Sequence, residues 1–415
     1  MKIQQLLQRE PFGEILEKTL SKFLSSRFGR PYRVRWHRRS AFDALRLSRA
    51  ADFETWYCNP FLNAIFSAKV DRAVLDLVRE NYIQTPFRYR RYLQQLYVTL
   101  ATRRATAPLL STHALDITPR LNGQDNMLIL GGNNRIRLID LKKMRTWDIL
   151  KDGFDPACML SELAVRRTPG AWPFATLRAV AEDNTWYESD YIPAISLNRL
   201  DWKQDRTALL ASALKTLGQW LDQTIKTSTS MIYANRLVEE IGRLSRKGTL
   251  FDIADQEMIR QSLAAALEVL SVVGYEELPV ELAYGHGDFQ DGNILVDADS
   301  RVWIVDWEHA CLRQIAYDYI VFSLQSRFPN GLAGRIQKAL HSGEFILQSL
   351  SVVHPHIRSS LMDTNRRKTT LVLFLLEDLL WHIQENANPM FHCKSGTWLL
   401  LRNEMLPALR SIAAA

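Results

Sequence analysis

"HGDFQDGNILVDADSRVWIVDWEHA", residues 286–310, sets a histidine, two aspartates and an asparagine immediately ahead of an apolar run. Asp, Gly and Asn are ordinary turn residues, and taken alone they say only that the chain reverses. The residues after them narrow the reading. Two apolar runs, 294–296 and 301–305, are joined by the turn-rich "DADS", which is a hairpin signal. In a hairpin of this register the residues just outside the two strands meet, so Asn293 and Asp306 come side by side, with Asp288 in the loop before them. Oxygen donors converging in this way suit magnesium, which takes one or two protein groups and fills its octahedron with water and phosphate oxygens. Phosphoryl transfer calls for the same parts: a carboxylate that orients an acceptor hydroxyl and takes its proton, and amide and carboxylate oxygens that place the metal.

Asp288 and Asn293 have the spacing D-x-x-x-x-N, and Asp306 follows a strand. With "HGDFQDGN" matching H-G-D-x-x-x-x-N and "IVDWEHA" looking like a following I-D-W/F-E element, the chain resembles the aminoglycoside phosphotransferase and choline kinase-like family, which shares the protein-kinase fold. The resemblance implies that Asp288 is the catalytic base or hydroxyl-orienting group and that Asn293 and Asp306 are the Mg²⁺ ligands. It implies further that His286 braces the loop and that Asp318, in "AYDYIVFSL", steadies it. Gly287 stands where protein kinases carry an arginine that reads a phosphorylated activation loop, which points to a small-molecule acceptor instead. For the nucleotide the resemblance offers Gly123 and Asn126 as a turn over the ATP phosphates, Arg137 as the strand cation and Glu162 as its helix partner. Tyr191 and Ile192 fall in a hinge that would line the adenine pocket. Glu377, Asp378 and Trp381 lie on a carboxy-terminal helix where relatives bind the acceptor.

The 415 residues, 47% hydrophobic and 23% charged, are those of a globular protein of two or three packed units. Four scattered cysteines without a C-x-x-C pair indicate neither zinc nor a disulfide framework and fit a reducing cytoplasm. The amino terminus lacks a secretory apolar region, and the longest apolar stretch, "TTLVLFLLEDLLWHI", is interrupted by Glu377 and Asp378, so it reads as a buried amphipathic helix. A formal charge of +7 and the basic, aromatic-interleaved runs 27–39 and 88–97 allow an anionic polymer or membrane surface as partner, though a solvated basic face is the commoner meaning.

Helical periodicity dominates residues 1–110, with a strand at "YRVRW", while the aromatic-rich "ADFETWYCNPFLNAIF" reads as a packed connection. From about residue 113 short alternating runs predict an antiparallel sheet with one helix, "ACMLSELAVRR", after its third strand; helices resume beyond Pro193. The expected architecture is α+β and bilobal, of protein-kinase type. It comprises a helical accessory domain (1–110), a nucleotide-binding lobe (111–195) and a mainly helical catalytic lobe (196–415). The expected activity is ATP- and Mg²⁺-dependent transfer of the γ-phosphate to a hydroxyl of a sugar, amino-sugar or amino-alcohol. The rival expectation is a catalytically weak kinase-like binding module or scaffold whose basic amino-terminal domain contacts an anionic polymer or membrane.

Overall fold

The computed structural model describes residues 2–39, 54–67, 69–82, 88–103, 106–170, 172–200, 205–247, 250–272, 274 and 276–415. They form two compact units, 1–159 with 175–192 and 160–174 with 193–415. The mixed helix and antiparallel-sheet fold expected from the kinase-like resemblance is the fold observed.

The first unit is built on nine strands: β1 (Arg33–Arg38), β2 (Glu54–Asn59), β3 (Ala64–Ser67), β4 (His113–Thr118), β5 (Met127–Gly131), β6 (Arg135–Asp140), β7 (Arg145–Leu150), β8 (Leu177–Val180) and β9 (Trp186–Asp190). Their order is β1-β4-β2-β3-β5-β6-β7-β9-β8, with every neighbouring pair antiparallel. The helices expected in residues 1–110 are present at Phe12–Phe28, Arg72–Tyr82 and Arg88–Thr102, but the segment is not a separate helical domain. It contributes β1, β2 and β3 to the same sheet as the strands after residue 113, and no boundary falls at residue 110. The "ETWYCN" and "AIFS" runs escape a period-2 reading because both faces of the sheet are covered. Trp56, Cys58 and Ile65 pack with Phe12, Leu16 and Leu20 on one face. Ala64 and Phe66 pack with Val74, Val78 and Val98 on the other. A strand buried on both sides loses its alternation. Pro60 lies just past the end of β2, in the turn to β3, and so costs the ladder nothing.

The basic run at 33–38 is an edge strand, with Arg33, Arg35 and Arg38 exposed. Charges on an edge discourage pairing with another chain, which is a sufficient reason for them to be there. β7 is a further strand that the sequence reading omitted, so the helix Ala157–Arg166 follows it rather than β6. Just beyond β7, Lys151 is fully buried: its ammonium donates to Glu10 Oε1 at 2.5 Å and to the Asn133 carbonyl at 2.7 Å. That pair ties the connection between helices Ile3–Arg9 and Phe12–Phe28 to the sheet.

The second unit is mainly helical, its long helices being Arg206–Asp222, Ser230–Lys247, Ile253–Leu270, Thr364–Gln384 and Gly396–Ala413. Two three-stranded sheets lie among them: β10 (Ala194–Ser196) with β13 (Ile294–Asp297) and β14 (Val302–Ile304), and β11 (Lys226–Thr229) with β12 (Pro279–Gly285) and β15 (Cys311–Gln314). Helix Thr364–Gln384 is capped by Asp363, which accepts from Arg366 N–H at 2.8 Å, and is buried nearly all round from Thr369 to Ile383. The burial expected of this helix is there, but it extends round the helix and leaves no polar face over that span. Among the described residues no helix is long and apolar enough to cross a membrane.

Candidate active site

Residues 286–293 bridge the two small sheets of the second unit, leaving β12 at Gly285 and entering β13 at Ile294. The hairpin read from the sequence is there: Ile294 pairs with Ile304, Val296 with Val302, and the Asn293 carbonyl accepts from Val305 N–H at 3.0 Å. Asn293 and Asp306 therefore stand at the mouth of one hairpin. Asp306 has φ +71°, a left-handed conformation uncommon outside glycine that Asp tolerates better than most.

Three groups fix the loop. Asp318, buried in the first turn of helix Tyr317–Leu324, accepts the backbone N–H of His286 at 2.6 Å and of Gly287 at 2.8 Å, one on each carboxylate oxygen. The buried His286 ring receives Asp288 N–H on Nδ1 at 3.2 Å and lies 2.9 Å from the Val305 carbonyl through Nε2. Those partners define the neutral tautomer protonated on Nε2. Gly287 takes φ +88°, and a Cβ there would sit 2.3 Å from the His309 carbonyl oxygen. The position is thus closed to any side chain, arginine included.

Asp288 is 9% exposed and its carboxylate is organised on both oxygens. Oδ2 accepts from Asn293 Nδ2 and Gln290 Nε2, each at 3.0 Å, and Asn293 Nδ2 also reaches the Asp288 carbonyl at 2.9 Å. Because the Asn293 amide nitrogen is turned inward, its Oδ1 is the atom left to ligate a cation. Asn293 and Asp306 fit Mg²⁺ as a minimal protein set completed by water and phosphate oxygens. No group of three or more His, Cys, Asp or Glu side chains able to hold a metal exists among the described residues, which a pair of this kind does not require.

Oδ1 of Asp288 is held by a residue that the sequence reading missed. Arg327 Nε donates to it at 2.6 Å, Nη1 to Asp378 Oδ1 at 2.7 Å, and Nη2 to the Gly287 carbonyl at 2.6 Å and to Tyr317 OH at 3.2 Å. The guanidinium stacks 3.8 Å from the Trp381 ring centroid. Burial opposes its charge, but Tyr317, Asp288 and Asp378 more than compensate and raise its pKa above the ordinary arginine range. The one signal available was a basic residue directly after the apolar helix that carries Asp318.

Glu377, Asp378 and Trp381 do not form a solvent-facing acceptor stripe. Glu377 is fully buried and accepts from Tyr233 OH and from the Gln314 backbone and side chain, both at 2.8 Å. Burial lifts its pKa to about 7 despite Arg313 and these donors. Asp378 is fully buried and serves Arg327 and Ser326, and Trp381 forms the floor under Arg327. Asp378 and Trp381 thus hold Arg327, and through it Asp288, while Glu377 anchors β15 and Tyr233.

The remaining candidates are dispersed. Gly123 (φ +77°) and Asn126 bound a short 3-10 turn leading into β5, whereas the turn joining β5 to β6 is made by Gly132–Asn134 at the strands' other end. Arg137 pairs with Asp148 across to β7 at 2.8 Å. Glu162, in the second unit, pairs with Arg166 one turn along its own helix at 2.7 Å. Tyr191 and Ile192 end the first unit; Tyr191 N–H bonds the Met144 carbonyl at 3.0 Å, and burial raises its phenol pKa.

No curated protein sequence matches the chain. Among solved structures it is similar to choline kinase LicA from Streptococcus pneumoniae (14% identity, 71% of this chain and 92% of that one, TM-score 0.41). It is similar also to a choline/ethanolamine kinase family protein from Mesorhizobium loti (14%, 78% and 99%, 0.42) and to aminoglycoside phosphotransferase APH(4)-Ia (14%, 69% and 89%, 0.40). Residues 162–350, which hold the loop, the hairpin and Arg327, match the family model described as the phosphotransferase enzyme family. Over that segment the chain carries the pattern of this family, and the resemblance to the aminoglycoside phosphotransferase and choline kinase-like group stands.

Proposed function

We propose that this protein transfers the γ-phosphate of ATP to a hydroxyl group of a small molecule. The observation that carries the reading is the Asp288 carboxylate, nearly buried, fixed on both oxygens, and set beside a hairpin mouth that presents Asn293 and Asp306. A carboxylate held this way has one orientation in which to receive an acceptor hydroxyl, align it with the phosphorus and take its proton as the bond to phosphorus forms. Positioning and electrostatics supply most of the catalysis in such a reaction, and the protein does little covalent work. Asn293 and Asp306 would hold Mg²⁺, which when bound neutralises phosphate charge. His286, Asp318 and Arg327 keep the loop and its carboxylate in place between turnovers.

Two variants separate these roles. Asp288→Asn should leave Mg-ATP affinity nearly unchanged while kcat falls ~100- to 10,000-fold, the usual loss on removing a general base. Asp306→Asn should weaken Mg²⁺-dependent nucleotide binding itself. Calorimetric titration of nucleotide with and without Mg²⁺, beside a coupled ADP-release assay, reads both. Normal turnover in Asp288→Asn would remove the catalytic reading and leave a kinase-like binding module as the better account.

A further inference from the structure

We infer that the acceptor is an uncharged polyhydroxylated molecule, of the sugar or cyclitol class, rather than a cationic amino-alcohol or aminoglycoside; this rests on the phosphotransferase reading above. The second unit holds a cavity of about 580 Å³ whose wall includes Gln290 and Asp291 of the catalytic loop and Arg327. Arg327 touches both the cavity and the Asp288 carboxylate, which places the space one side chain from the proposed reacting centre. Its volume is that of a small-molecule site.

The chemistry of the wall selects the ligand. Each charged side chain in it is already compensated within the protein: Arg206 by Asp291, and Arg327 by Asp288 and Asp378. The lining carries two guanidiniums, Arg206 and Arg327, against the single carboxylate of Asp291, so an ammonium entering here would meet a net positive wall, whereas a cation needs a carboxylate of its own, or an enclosing aromatic cage, to repay its desolvation. Of the two phenylalanines in the lining, Phe322 packs against Phe289 and Phe328 is 70% exposed, which makes a ring face for the C–H face of a sugar ring rather than a cage. The groups left to bind a ligand are neutral. Gln325 and Gln348 line the cavity and are exposed, and Thr207, Ser323, Ser349 and Ser351 line it with them. Gln325 sits at φ +48°, a left-handed conformation that a non-glycine residue adopts at a cost. That backbone ends helix Tyr317–Leu324 beside the cavity and makes Gln325 part of its wall.

The test is ADP release by the full chain with two panels, one of neutral hexoses, pentoses and myo-inositol, the other of choline, ethanolamine and kanamycin. The expected result is turnover above the acceptor-free rate with at least one neutral compound and none with the cations. Gln325→Leu and Gln348→Leu should each raise that acceptor's KM about 2- to 10-fold, as expected for one lost hydrogen bond to an uncharged group, with a smaller effect on kcat. Faster turnover of a cation, nucleotide hydrolysis with no neutral acceptor used, or an unchanged acceptor KM in both variants would overturn the assignment. Absence of Mg²⁺-dependent nucleotide binding is a different failure: it would sink the phosphotransferase reading itself, and the acceptor class with it.

Discussion

Replacing Arg327 by methionine tests how the Asp288 carboxylate is held. The substitution keeps an unbranched stem over the Trp381 ring but removes the donors to Asp288 Oδ1 and Asp378 Oδ1. Hydrogen bonds to charged groups contribute ~1.5–3 kcal/mol each, so two of them amount to ~3–6 kcal/mol. Removing one partner from a buried ion pair gives a similar ~3–5 kcal/mol, because the remaining charge stays desolvated. Here two carboxylates would be left, one 9% exposed and one not exposed at all. We expect a stability loss of ~3–5 kcal/mol, followed by urea unfolding with tryptophan fluorescence, and a 10- to 100-fold lower kcat as Asp288 loses its fixed orientation. Adding Asp378→Asn to the methionine variant should recover part of the stability, with a coupling energy above ~1 kcal/mol. A methionine variant within ~0.5 kcal/mol of the parent, or one with normal kcat, would refute the argument that Arg327 positions the base.

The other expectations are simpler. Gly287→Ala should destabilise the loop and abolish turnover, since its Cβ would lie 2.3 Å from a backbone oxygen at φ +88°; circular dichroism melting and the ADP assay check this. His382 is fully buried with neither ring nitrogen hydrogen-bonded, and burial lowers its pKa to about 4. Its neutral form is favoured in the fold, so its contribution is full above pH ~6.5 and is lost as pH falls toward 4; His382→Phe should flatten that acid limb in urea unfolding measured from pH 4.5 to 7.5. Glu10→Ala should cost ~3–5 kcal/mol by stranding buried Lys151, read as a lowered unfolding midpoint, and an unchanged midpoint would show that the pair does not anchor the first helices.

The second unit's site was legible because its chemistry is local in sequence. His286, Asp288, Asn293 and Asp306 fall within one loop and one hairpin, and turn residues set the register that brings them together. Asp318 was read from the family resemblance and not from the local pattern, which offers only an acid in a helix's first turn. Arg327 was not, because its meaning depends on Asp288 and Asp378, which only the fold brings within reach of one guanidinium. The acceptor assignment failed for a related reason: "LLEDLLWH" reads as a helix with a polar edge, yet Glu377 and Asp378 find their partners inside the core. In the first unit, β2, β3 and β7 were missed where burial on two faces or a closely preceding turn hides alternation. Long-range pairs such as Lys151 with Glu10 leave no pattern along the chain at all.

The strand order of the first unit bears on how the chain is made. β4 lies between β1 and β2, so Arg33 waits for Thr118, and Trp56 for Leu115, before either strand is paired on that side. A ribosome adding ~5–20 residues per second takes roughly 2 to 9 seconds to supply the ~45 residues between the end of β3 and the start of β4. Throughout that interval Trp56, Cys58, Ile65 and Phe66 have only their own hairpin and the first helices to cover them. Sheets closed by such distant pairings form slowly and expose apolar strands while they do. Heterologous production should therefore respond more to slower translation, lower temperature and chaperones than to changes on the folded surface. A ribosome paused between residues 70 and 110 would hold β2 and β3 out with β4 and β5, their partners in the sheet, still unmade.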